Sequence, residues 1–135
     1  MNILFRGKRI DTNEWIVGNL VSPYEDKMYI IDLVKHSYNE TITHLVPIEV
    51  VPETVCQYTG LDDYNGNHIF EGDIFKFGFK NCVVRYDKEN ARFMFYVNDE
   101  IPVDGFNKLT LSTKILQGNK FDNPELLHYK ENLFK

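Results

Sequence analysis

Cys56-Gln-Tyr-Thr-Gly-Leu-Asp-Asp-Tyr-Asn-Gly-Asn-His-Ile-Phe-Glu-Gly-Asp-Ile-Phe-Lys-Phe77 decides the fold class of this chain. Glycines at 60, 66 and 72 cut it into short pieces, and the residues between are aromatic or β-branched. This pattern belongs to tight turns between short strands. Gly60, Asn65, Gly66 and Gly72 are therefore read as turn residues, with Asn65-Gly66 as a pair in left-handed conformations. No nucleophile, metal cage or phosphate cradle is assembled within the stretch. It defines a class of protein without defining a chemistry.

Upstream, Ile3 to Ile10 ends at the turn cluster Asp11-Thr-Asn13. Glu14 to Val21 alternates cleanly, except that Gly18-Asn19 suggests a bulge or bend. Lys27–Leu33 and Thr41–Val46 read as further strands, separated by a polar loop at His36–Glu40. Pro47 and Pro52 bracket a connection, and Pro52–Val55 has room for one helical turn at most. The chain is accordingly divided into residues 1–52 and 53–135.

Downstream, Asn81–Tyr86 and Ala91–Val97 form a hairpin around the turn Asp87–Asn90. Asp99–Lys108 reads as a loop with Asp104-Gly105 at its tip, and Leu109–Gln117 as a last strand. Asp122-Asn-Pro-Glu125 is a helix start, with Asn123 as the cap and Pro124 at the first helical position. Leu126, Leu127 and Phe134 would anchor the short helical tail that follows. The fold class is mostly β, in two small subdomains.

Bulk composition agrees with a folded protein. Of 135 residues, 43% are hydrophobic and 26% charged, and eighteen Phe and Tyr lean the chain toward β-structure. The net charge of −5 is spread evenly: 5 basic and 8 acidic side chains in residues 1–55, 10 and 12 in residues 56–135. Such a surface repels phosphate backbones, so nucleic acid is not an expected general partner, although a local patch remains open. Two cysteines, 26 positions apart, make no disulfide framework, which points to a reducing compartment and a cytoplasmic protein. No apolar run resembles a signal peptide or a membrane span, so no membrane association is expected.

Three groups of residues carry a resemblance: Phe5-Arg-Gly-Lys-Arg-Ile-Asp-Thr-Asn-Glu-Trp-Ile-Val-Gly18; Pro52-Glu-Thr-Val-Cys-Gln-Tyr-Thr-Gly-Leu61 with Asn65-Gly66 and Ile69–Phe77; and Gly118-Asn-Lys-Phe-Asp-Asn-Pro-Glu-Leu-Leu127. In this order they resemble the YopX family of small phage and prophage proteins over nearly the whole chain. Cys56 departs from the glycine expected there, and residues 78–117 carry no diagnostic motif. The resemblance implies a mainly β fold with SH3-like barrel character in the C-terminal subdomain and a phage or prophage origin. It implies no established biochemical role and no catalytic residues.

The residue types that carry chemistry fall in no catalytic or metal-binding pattern. Asp63-x-Asn65-Gly66 recurs in calcium loops, but a register that places Gly66 sixth puts Leu61 first and Gly72 twelfth, where carboxylates are needed. His36, His44, His68 and His128 have no metal-motif spacing among themselves or with the cysteines. Cys82, beside Val83 and Val84, reads as a small core hydrophobe. Ser22, Ser37 and Ser112 lie in no nucleophile elbow. No catalytic, metal or cofactor site is assigned, and no cofactor is expected. Glu71–Phe77 resembles the glycine-turn-plus-strand of SH3-like barrels that dock on RNA or ribosomal proteins, though core and turn roles account for each of its residues. Arg6, Lys8 and Arg9 form the one local basic cluster, readable as protection of an edge strand.

The expectation is a non-enzymatic interaction module that binds an unidentified host or phage protein, or a second copy of itself. A nucleic-acid module using Arg6, Lys8, Arg9, Lys76, Lys80 and Arg85 is the first alternative. An enzyme or small-ligand binder whose site assembles only in the fold is the second.

Overall fold

The computed structural model describes residues 3–24, 26–32, 46–103 and 105–127. It divides the chain into two compact units, Met1–Tyr58 and Thr59–Lys135. The chain is mostly β, and its described strands form two antiparallel sheets.

In the first unit, β1 (Phe5–Lys8), β2 (Trp15–Tyr24), β3 (Lys27–Ile31) and β4 (Pro47–Val50) are hydrogen-bonded in the order β4-β3-β2-β1. The start of β5 (Cys56–Asp62) pairs with β1 through Phe5↔Gln57 and Arg6↔Cys56. Period-2 alternation sends Ile16, Ile30 and Val50 into the core, with Phe5, Leu20, Met28, Ile48 and Val55 packed around them. A 3₁₀ turn at Pro52–Thr54 is tied back to β1: the Lys8 amide donates to Thr54 Oγ1 at 2.9 Å, and that hydroxyl donates to the Val51 carbonyl at 2.7 Å.

Two expectations change here. The Gly18-Asn19 bulge is absent, since pairing runs unbroken from Phe5↔Gly18 to Lys8↔Trp15 and the irregularity falls between Val21 and Tyr24. Gly18 is required for another reason: a Cβ there would lie 1.8 Å from the Ile31 carbonyl oxygen. The Pro47–Val50 connection is a strand, with Pro47 at its first position, where the missing N–H costs least. The expected strand Thr41–Val46 lies almost wholly outside the described residues.

In the second unit, the end of β5 leads through a tight loop into β6 (His68–Phe70). The other sheet has the order β10-β9-β8-β7-β11, built from β7 (Asp73–Phe77), β8 (Lys80–Asp87), β9 (Arg92–Val97), β10 (Ile101–Val103) and β11 (Leu116–Asn119). Its core joins Ile69, Phe75, Cys82, Val84, Phe95 and Leu111. Phe95 sits at the centre, with the Phe77, Phe106 and Phe75 rings at 4.6, 5.2 and 5.9 Å in edge-on or near edge-on contact.

The Asp63–Asn67 loop closes with Gly66 N–H donating to the Asp63 carbonyl and Asp63 N–H to the Asn67 carbonyl. In this three-residue loop only its last residue, Gly66, turns left-handed (φ +83°), and Asn65 does not, contrary to the paired conformation expected. Asp63 Oδ1 accepts the amides of Asn65 and Asn67 at 2.9 and 2.8 Å, so this buried carboxylate shapes the loop from within.

The expected loop Asp99–Lys108 contains β10, and the expected strand Leu109–Gln117 begins as a helical turn, α1 (Lys108–Leu111). The side chain of Asn107 caps that turn by accepting the Thr110 amide at 2.9 Å, which overrides the β-branched composition that follows. The proposed helix start yields a 3₁₀ turn, Pro124–Leu127, and Asn123 Oδ1 reaches back to accept the Asn119 amide at 3.2 Å. The rest of the expected tail, with Phe134, lies outside the described residues. Neither sheet closes into a barrel among the described strands.

Candidate functional site

Alternation along β8 and β9 gives the second sheet two unlike faces. Cys82, Val84 and Tyr86 pair with Val97, Phe95 and Phe93 on the core side. Arg85 pairs with Met94 and Asp87 with Arg92, and Tyr96 stands beside Pro102 of β10. These residues floor and flank an open cleft of about 660 Å³ whose rim is the β8–β9 turn, with Lys88, Glu89 and Asn90.

The Arg85 guanidinium organises the floor. Its carbon lies 4.2 Å from the Tyr96 ring centroid, and Nη1 donates to the Asp99 carbonyl at 3.0 Å. The Asp99 carboxylate is 3.5 Å from Arg85 and 4.0 Å from the Lys120 ammonium. Asn98 and Asp99 both adopt left-handed backbone (φ 51° and 63°), a conformation that Asn and Asp enter more readily than other side-chain-bearing residues. That turn delivers Asp99 to Arg85. On the rim, Asp87 accepts the Asn90 side-chain amide at 2.8 Å and the Glu89 backbone amide at 3.2 Å. The Asn90 bond, then the backbone amides and Arg92, hold its carboxyl below the ordinary carboxylate range against the opposing cost of desolvation.

The six basic residues proposed as nucleic-acid contacts do not act alike. Arg6 and Lys8 share a face of the first sheet and flank Trp15, at 4.7 and 5.4 Å from its ring centroid. Arg9 forms a two-pronged pair with Asp11 at 2.9 and 2.8 Å, which raises its pKa and lowers that of Asp11. Arg85 belongs to the cleft. Lys76 and Lys80 stand near the β7–β8 turn, on opposite faces, because Lys76 pairs with Asn81 and Lys80 with Phe77. Gly72 donates its amide to the Val84 carbonyl and accepts from the Lys120 amide, both at 2.8 Å, so it stitches β8 to the end of β11.

Among the described residues no group of three or more His, Cys, Asp or Glu could hold a metal ion, and no helix is long and apolar enough to cross a membrane. His68 and Asp62 form a pair at 2.7 Å at the β5–β6 hairpin. Cys82 is fully buried, and desolvation pushes its thiol pKa up despite the nearby Lys80 and Lys114 ammoniums. Sequence reasoning missed Met94, Tyr96 and Asp99. The only local signal was the Asn98-Asp99 dipeptide after a strand, which suits a left-handed turn.

Fold and cleft together define a mostly β scaffold with an open cation–aromatic surface on its second unit. The chain belongs to the YopX protein family, whose model matches residues 4–128. A solved structure, that of protein EF1440 from Enterococcus faecalis, is similar with a TM-score of 0.61 at 22% identity, covering 94% of this chain and 99% of that one. At that identity the likeness concerns the fold alone. No curated protein sequence matches the chain.

Proposed function

We propose that this protein is a non-enzymatic accessory module of phage or prophage origin that binds a partner protein, from host or phage, in the cleft over β8, β9 and β10. The supporting observation is the composition of that cleft. Met94, Tyr96 and Pro102 give it apolar surface, Arg85 stands over the Tyr96 ring at 4.2 Å, and Lys88, Glu89 and Asn90 form its rim. Tyr, Met and Arg are the residue types enriched where protein surfaces meet, with charges displaced to the periphery. On this reading the second unit works as an SH3-like module in the bacterial cytoplasm, its five-stranded antiparallel order serving as the platform. Self-association through the same cleft is a special case.

The test is affinity capture from lysogenic cells with the wild type and with Arg85→Glu and Tyr96→Ala, alongside light scattering on each purified protein. A stoichiometric partner, or a defined oligomer, that both variants lose is the expected result. A monomeric wild type that retains nothing overturns the proposal. So does a partner that both folded variants hold as tightly as the wild type.

A further inference from the structure

Phe79 is 94% exposed, the most exposed large apolar side chain in the described chain. It sits at the tip of the β7–β8 hairpin beside Gly78, whose left-handed backbone (φ +63°) makes the turn. Lysines stand on the same hairpin and beside it. Lys76 stands on one face of the hairpin and Lys80 on the other, and the Lys114 ammonium lies 4.5 Å from the Phe77 ring centroid on Lys80's side. Residues 74–84 and 105–118 contain four basic side chains and no carboxylate, in a chain whose net charge is −5.

We propose that this hairpin tip is a contact site for single-stranded nucleic acid, with one base stacked on Phe79 and the adjoining phosphates held by Lys76, Lys80 and Lys114. Charge complementarity selects an anionic occupant. The shape selects among anionic occupants. A single protruding ring offers too little apolar area to hold a lipid surface, where binding scales with the area inserted. It also lacks the contiguous packed patch of a protein hot spot. An exposed π-face with basic side chains on the same hairpin is instead the kind of element that single-strand binding surfaces repeat. Bases in a duplex are already stacked and cannot cover Phe79, so single strands are preferred over double. This site is separate from the Arg85–Tyr96 cleft and stands or falls independently of it.

The test is fluorescence anisotropy of labelled dT12 and rU12 with the full-length protein at 20 mM and 200 mM salt. Three phosphate contacts give a slope of log K against log[salt] of about −2, so affinity falls roughly a hundredfold across that range. Phe79→Ala weakens binding about tenfold, the loss of one stacked base, and Phe79→Trp preserves it. Lys80→Glu with Lys114→Glu abolishes binding and leaves unchanged the circular dichroism of the fold. No binding of either oligonucleotide at 20 mM salt overturns the proposal. Equal affinity for a 12-base-pair duplex, indifference to Phe79→Ala, or association only with polyglutamate or anionic vesicles overturns it as well.

Discussion

Replacing Gly18 with Ala tests how the first sheet is registered. A Cβ at Gly18 would sit 1.8 Å from the Ile31 carbonyl oxygen and 2.7 Å from its carbon, both backbone atoms that no side-chain rotation can remove. Relief requires β3 to withdraw until that approach exceeds 3.0 Å. The retreat pulls on the pairs Asn19↔Ile31 and Leu20↔Ile30, and Ile30 is fully buried against Ile16 and Val50. Overpacking a close contact costs about 1–3 kcal/mol, and each ladder hydrogen bond weakened adds about 1 kcal/mol. The expected destabilisation is therefore about 3–4 kcal/mol, a large part of the 5–15 kcal/mol typical of a folded protein. Trp15, the single tryptophan, lies in β2 and reports this unit directly by fluorescence during urea unfolding. At a slope of about 1.5 kcal/mol/M the midpoint falls by about 2 M. Gly66→Ala is the contrast, because nothing lies within 4 Å and only its φ of +83° is strained. That substitution costs about 1 kcal/mol. A Gly18→Ala midpoint within 0.5 M of the wild type would refute the close approach of β3.

Two further outcomes concern the buried thiols and the β8–β9 turn. Cys56 and Cys82 are both buried, and Cys82 has a raised pKa, so Ellman's reagent at pH 8 labels neither thiol rapidly in the native protein and both in denaturant; labelling within seconds under native conditions would contradict the packing. Asp87 has a lowered folded-state pKa, so its contribution is present above the ordinary carboxylate range and is lost as pH falls through the lowered value. Asp87→Asn should therefore flatten the acid limb of stability against pH, measured by thermal melts between pH 5 and 2, and an unchanged limb would remove that carboxylate from the account.

What was legible in the sequence was local. The alternation Phe75-Lys76-Phe77 announces a strand with one core face, and the stretch from Cys56 to Phe77 gives β5, β6 and β7 in order, although β5 runs through Gly60 (φ +90°) where a turn was expected. What was illegible depended on partners distant along the chain. Gly18 looked like an interruption because the Ile31 carbonyl that demands it is thirteen residues away. Leu109-Thr-Leu looked like a strand because the cap that makes it helical, Asn107, precedes the segment. The cleft was hidden for a similar reason. Arg85, Tyr96 and Asp99 become neighbours only once β8 and β9 are registered and the Asn98–Asp99 turn is made.

The acidic net charge is a sum over the chain and says nothing of where each charge stands. Asp11 is taken by Arg9, Asp62 by His68, and Asp99 lies against Arg85 and Lys120. Asp63 and Asp73 are buried and accept backbone amides in their own turns, and Asp87 does the same at the β8–β9 hairpin. Each of these carboxylates is held at its own local donor, away from the β7–β8 turn or at its own hairpin. By contrast, no described carboxylate pairs with Lys76, Lys80 or Lys114. At 0.15 M salt a charge is screened beyond about 8 Å, so an approaching ligand senses the nearest side chains rather than the sum over the chain. A protein of net charge −5 can thus present a cationic tip, and the sign of the whole does not decide the sign of the site.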